Sequence, residues 1–171
     1  GQHQVTNTLA AVRVAKLLGL DMEQMTRGIA SVVPIAGRNR IIQEGSFTLI
    51  DDCYNANPVS MKAALDLLSL ADTRKVAILG DMFELGENSD MLHSGVGCYA
   101  KGKTDLLICI GKNAKHIYDG AKEAGAAHIY HFTDKESFLR EKENLLQAGD
   151  TILLKASHGM AFETLISQLL Q

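Results

Sequence analysis

From Pro58 onward the chain alternates short apolar runs with segments of helical period, and this alternation restricts its fold more than any other feature. "KVAIL", "DLLICI" and "TILLK" lack a polar residue at every second place, which suits strands buried on both faces. "HIYHF" reads as a weaker strand. Among these runs Met61, Ala64, Leu65 and Leu68 recur at i, i+3, i+4 and i+7, one face of a helix, and Phe162, Leu165, Ile166 and Leu169 form a second such stripe. Met91, Leu92, Val96 and Tyr99 mark another helix, as do Ile117 and Ala121, and a charged helix is expected from about Asp134. Strands alternating with helices predict an α/β domain: a mostly parallel sheet, helices on both faces, right-handed crossovers. Ahead of it, "RIIQE" and "FTLID" flank Gly45-Ser46 as a hairpin, which adds one antiparallel edge strand to a six-stranded, Rossmann-like sheet.

The first residues follow another pattern. "TNTLAAVRVAKLLG" is rich in strong helix formers and stops at Gly19. "DMEQMTRGIASV" begins a second helix with Asp21 as N-cap and Gln24 three residues on, a capping-box variant. "VVPIAGRNR" then breaks the period at Pro34 and Gly37, so residues 1–36 are expected to be a short helical segment and 37–171 the α/β domain.

Composition excludes several functions. Apolar residues make up 46% and charged residues 22%, an ordinary globular mix. A net charge of -3 without a basic run argues against a nucleic-acid groove. No apolar stretch has the length of a membrane helix and no signal-peptide pattern opens the chain. Cys53, Cys98 and Cys109 are odd in number and form no CxxC pair, which points to a reducing, cytoplasmic setting without a disulfide framework or a zinc site; no metal ligands are assigned. The chain opens on Gly1 rather than Met, as expected of a segment cut from a longer polypeptide.

Ligands of open α/β sheets gather outside the carboxyl ends of the strands. Three polar clusters lie there: "DDCYNANP" after "FTLI", "GDMFELGE" after "KVAIL", and "KASHGM" after "TILL". Neighbouring side chains on a strand point to opposite faces, so Asp51 and Asp52 cannot do the same job; one can accept ribose hydroxyls, or one can cap a turn. Asn57-Pro58 reads as N-cap and N1 of a helix. Asp81, Glu84 and Glu87 can bind a metal or an ammonium group, or they are the acidic first turn that helices prefer. His93 is a ligand or a structural histidine, and Ser157 and His158 border an anion-favouring helix start without a carboxylate to build a triad. Arg38, on a Gly-hinged linker, is either solvated or free to reach a phosphate. Neither GxxxxGK[ST] nor GxGxxG occurs.

"GQHQVTNTLAA", "AGR", "LIDDCYNANPVSMKAAL", "LGDMFELGE", His93 followed by "GVG", and "GDTILLKAS" occur in the order seen in the Mur ligases, and the sequence resembles that family over nearly its whole length. "DDCYNANP.SM.AAL" with "LGDM.ELG" is similar to the branch that adds D-alanyl-D-alanine to UDP-N-acetylmuramoyl-tripeptide for peptidoglycan. The resemblance implies three domains, of which the N-terminal one and most of the central ATPase domain lie outside this chain, along with the phosphate loop and the magnesium ligands. It implies ATP-dependent amide formation through an acyl phosphate in a closed, water-poor cleft, with ATP and Mg held mainly by the central domain and this segment inactive alone. By motif, Asn7 resembles the residue that contacts adenine and His3 belongs to the same motif; Arg38 resembles the linker Arg that reaches the terminal phosphate; Asp52 resembles the ribose-binding acid. Tyr54, Asn55 and Asn57 fall where the nucleotide and incoming substrate are lined, and Asp81, Glu84, His93 and Ser157 are candidates at the dipeptide end. Gln4 stands where the family usually has Asn, and "KASHGM" where it has "KGSR". Two other readings are a folylpolyglutamate- or cyanophycin-type ligase, and a free-standing Rossmann-like module that binds a nucleotide or a partner without catalysis.

Overall fold

The structure, a computed structural model, describes residues 2–33 and 36–170, with the side chains of residues 2–4 left out. The chain divides into two compact units, Gly1–Ile35 and Ala36–Gln171. The first holds α1 (Gln2–Leu17) and α2 (Met22–Ala30). Its turn uses Gly19 at φ +84°, a conformation open to glycine without a Cβ clash. Asp21 caps α2 as the sequence predicts: its Oδ1 accepts the Gln24 N–H at 2.8 Å, and Gln24 Oε1 accepts the Asp21 N–H at 2.9 Å.

The second unit contains β1 (Arg40–Glu44), β2 (Phe47–Asp51), α3 (Pro58–Leu68), β3 (Lys75–Gly80), α4 (Ser89–Ala100), β4 (Leu106–Ile110), α5 (Ala114–Glu123), β5 (Ile129–Phe132), α6 (Lys135–Leu145), β6 (Thr151–Lys155) and α7 (Glu163–Leu169). The strands form one sheet in the order β1-β2-β6-β3-β4-β5. All pairings are parallel except β1 with β2, so the mixed sheet with a single antiparallel edge strand is the predicted one.

The apolar strands divide their side chains between two cores with period two. Ile50, Ala77, Leu79, Leu107 and Leu153 face α3, α4 and α5. Leu49, Val76, Ile78, Ile152 and Leu154 face α6 and α7. Burial on both faces is why these runs contain no alternating polar residues. α4 and α5 approach so closely that a Cβ on Gly97 would lie 1.9 Å from the Ile117 carbonyl oxygen, and one on Gly120 would lie 2.2 Å from that of Ser94. Sequence periodicity places these helices but gives no sign of that contact.

In this order β2, β6 and β3 are adjacent and parallel, so their carboxyl ends lie side by side. The three polar clusters therefore share one edge.

Candidate functional site

The edge is built around Lys155, the last residue of β6 and only 2% exposed. Register pairs Asp51 with Leu154, so the next residue along β2, Asp52, comes beside Lys155. The Lys155 ammonium donates to Asp52 Oδ2 at 2.5 Å and to the Asn55 carbonyl at 2.9 Å. A lysine this deeply buried requires such partners. Lys155 opens the strand-end cluster "KASHGM", but the sequence does not reveal its role; the available signal is a cation closing an apolar strand that has no solvent-facing side.

Asp51 and Asp52 point to opposite faces, as strand geometry dictates, and both turn back to the linker. Asp51 Oδ2 accepts the Gly37 N–H at 2.9 Å, and its Oδ1 accepts the Cys53 N–H at 3.3 Å. Asp52 Oδ1 accepts the Asn39 N–H at 3.1 Å. The Tyr54 N–H donates to the Gly37 carbonyl at 2.9 Å, closing the linker onto the strand end. Gly37 has φ +76°, and a Cβ there would lie 3.1 Å from the Tyr54 nitrogen. Asn39 also adopts a left-handed φ of +49°, and its Oδ1 is buried without a hydrogen-bond partner. Between them the exposed Arg38 places its guanidinium carbon 4.1 Å from the Tyr54 ring centroid. His158 approaches the same ring, with centroids 6.0 Å apart.

Asn55 and Asn57 organise the turn into α3. Asn55 Oδ1 accepts the Ala56 N–H, and Asn57 Oδ1 accepts the Ser60 N–H as the predicted N-cap ahead of Pro58.

Asp81, His93 and Ser157 are buried and committed to one loop. Asp81 Oδ1 accepts the Ala114 N–H at 2.6 Å, placing a carboxylate at the positive end of α5. Gly111, at φ +125°, leaves room for it: a Cβ there would sit 2.4 Å from Asp81 Oδ1. His93 Nε2 accepts the Met82 N–H at 2.9 Å while Nδ1 lies 2.7 Å from the Ser89 carbonyl, which fixes the tautomer with its proton on Nδ1. Ser157 Oγ accepts the Phe83 N–H at 2.8 Å. The loop so pinned presents half-exposed Phe83 and exposed Glu84, the latter at φ +61°. Phe83 packs over Gly159, where a Cβ would lie 3.0 Å from its ring. Phe83, Gly159, His158, Tyr54 and Arg38 thus form a continuous ledge along the ends of β3, β6 and β2. Phe83 is absent from the sequence-predicted set because an aromatic in a loop is indistinguishable there from a core residue.

In the first unit, Asn7 is an exposed residue of α1, and the side chain of His3 lies outside the described residues. Among the described residues no three His, Cys, Asp or Glu side chains cluster to hold a metal ion, and no helix is long and apolar enough to cross a membrane. Burial pushes the Cys53 and Cys109 thiols far up from the ordinary thiol range, with the Asp51 carboxylate adding to the effect at Cys53.

A Rossmann-like domain with a cation–aromatic ledge at its carboxyl edge, tethered to the linker ahead of its first strand, belongs to the class that receives ligands at the strand ends. The chain is a member of the Mur ligase, glutamate ligase domain family, whose pattern matches residues 37–158. It is 37% identical to the UDP-N-acetylmuramoyl-tripeptide–D-alanyl-D-alanine ligase of Synechocystis over 99% of the chain and 38% of that protein. Identity to the enzyme of the same name from Bacillus subtilis is 32%, covering 100% of the chain and 38% of the relative. A crystal structure of MurF from Acinetobacter baumannii superposes with a TM-score of 0.89 at 32% identity, over 99% of this chain and 38% of that one. The chain thus spans about 38% of the length of the relatives it matches. A folylpolyglutamate synthase from Thermotoga maritima shares the fold at a TM-score of 0.62 with 16% identity.

Proposed function

We propose that the chain is the C-terminal part of an ATP-dependent ligase that joins D-alanyl-D-alanine to UDP-N-acetylmuramoyl-tripeptide in peptidoglycan precursor synthesis. The observation that carries this reading is that ligases of that name match essentially the whole chain, linker and all three polar clusters included. ATP supplies the phosphoryl group that turns the tripeptide carboxylate into an acyl phosphate; this chain's residues bind, orient and exclude water.

The edge fits a nucleotide in its donor set. Arg38 offers an exposed guanidinium, supported on the Tyr54 face and held by backbone anchors on either side. It is the catalytic candidate, set to meet charge on the terminal phosphate. Asp52 is the candidate for ribose hydroxyls, through the acceptor positions that Lys155 and Asn39 leave free; His3 and Asn7 are candidates for adenine by their motif alone. Tyr54, Asn55 and Asn57 line the cleft, and Glu84 offers a carboxylate to the ammonium of the incoming dipeptide. Asp81, His93 and Ser157 shape that end through the loop they hold. The resemblance to the Mur ligases assigns the Mg ligands to the central domain.

The test is made on the longer polypeptide that carries this chain, supplied with ATP, magnesium, UDP-N-acetylmuramoyl-tripeptide and D-alanyl-D-alanine. Phosphate release matched by a pentapeptide product in the mass spectrum is expected, with none from the 171-residue chain alone. Turnover with glutamate and a folate instead would refute the reading, and tight ATP binding by the chain alone would favour a free-standing nucleotide module.

A further inference from the structure

The two neighbours of Arg38 are each held by one of two adjacent carboxylates. Asp51 takes the N–H of Gly37 on one side, Asp52 the N–H of Asn39 on the other. Neither anchor is symmetric in its support. Asp51 is braced by the N–H of Cys53, in its own turn. Asp52 is braced from the neighbouring strand by the buried Lys155 ammonium, which also ties down the Asn55 carbonyl, one residue after Tyr54 in the turn. Lys155 therefore touches both supports of the guanidinium: the anchor of the backbone that carries it and the turn that carries the ring beneath it. Asn39 has a left-handed φ and a buried, unpartnered Oδ1, so its conformation depends on the contact through its backbone N–H.

We propose that Lys155 is a positioning residue for Arg38, acting through Asp52 on the linker and through Asn55 on Tyr54. This rests on the reading of Arg38 as a phosphate contact only for its kinetic consequence; the positioning itself is measurable without nucleotide. A group held over an aromatic face experiences its ring current, so the Arg38 side-chain proton resonances of the ligand-free protein report the 4.1 Å stacking directly. Tyr54→Leu defines the unstacked value. Lys155→Met is expected to move the Arg38 resonances at least halfway to that value, and unchanged resonances in folded Lys155→Met overturn the proposal. If Lys155→Met does not fold, the same readout is taken on Asp52→Asn with Lys155→Met, which removes both buried charges together.

The kinetic cycle separates positioning from general damage. In the longer polypeptide, Arg38→Ala and Lys155→Met are each expected to lower kcat about tenfold or more, with the double variant within about twofold of Arg38→Ala, because one acts through the other. Losses that multiply in the double variant overturn the proposal. Unchanged kcat in Arg38→Ala refutes the phosphate role, and the resonance experiment still decides the positioning role on its own.

Discussion

Replacing Lys155 by methionine isolates the energetics of the buried pair at the centre of the edge. The lysine side chain is 2% exposed and its Asp52 partner 11%, so the pair is almost wholly desolvated. Removing one partner of a buried pair costs about 3–5 kcal/mol, because the other charge stays behind unpaired. Asp52 retains a sliver of solvent exposure, which places the expected loss near the lower end, about 3 kcal/mol. For a chain of this size that corresponds to a melting temperature roughly 6–12 °C lower. Urea unfolding followed by far-UV circular dichroism measures it, with an unchanged m-value because the surface exposed on unfolding is the same. Adding Asp52→Asn removes the stranded charge, and the double variant is expected within about 1 kcal/mol of wild type. The loss is also expected to be the same at low and high salt, since a buried pair is little screened. A loss below about 1 kcal/mol, the range of solvent-exposed pairs, or one that disappears in salt, would refute the burial argument.

Gly97→Ala puts a Cβ 1.9 Å from a backbone oxygen of the facing helix, so α4 and α5 must separate; a loss of roughly 3 kcal/mol or more, or an insoluble chain, is expected in the same unfolding assay. Near-native stability would show that these helices part easily. Maleimide is expected to label exposed Cys98 rapidly in the native state, and Cys53 and Cys109 only in denaturant, because both are buried and burial holds their thiols protonated. Three carboxyls sit below the usual range: Asp66 beside the Lys103 ammonium, Asp105 accepting the Lys75 N–H, and Asp134 accepting the Ser137 N–H at the start of α6. Their unfolded forms bind protons first, so their contribution is present above about pH 4 and is lost as the pH falls through their lower folded values. The urea midpoint is expected to decline below about pH 4, and a rise there would contradict the assignment.

Apolar patterning made the sheet legible. A strand buried on two faces has nowhere to place a polar residue, so "KVAIL" and "TILLK" identify themselves, and their crossover helices leave few topologies. The caps at Asp21 and Asn57 were legible for a related reason: each is a local contact three residues long, and the Asp134 cap that the structure adds is of the same kind. The α4–α5 contact was not, because a helical glycine looks the same in sequence whether it faces solvent or a neighbouring backbone. The same limit applies to Lys135, which ties the Met160 and Ala161 carbonyls from 25 and 26 residues away.

Polar residues at the strand ends were recognisable as a group, but their division of labour was not. A carboxylate that binds a ligand and one that holds the loop presenting a ligand contact have the same side chain and the same address. Only distances separate them: Asp81, His93 and Ser157 spend their polar atoms on the backbone at 82–83 and 114, whereas Arg38 and Glu84 remain exposed. The adjacent Asp51 and Asp52 show why such a cluster must be dense. Arg38, whose side chain stays exposed, is flanked by two backbone N–H groups, and both are held by two acceptors from one strand end. The second of these lies against an apolar core and needs a buried cation, which the adjacent parallel strand supplies at the same level. The doubled aspartate, the lysine a hundred residues later and the Gly-Arg-Asn linker are therefore one structural unit, and a change at any of them is felt at Arg38.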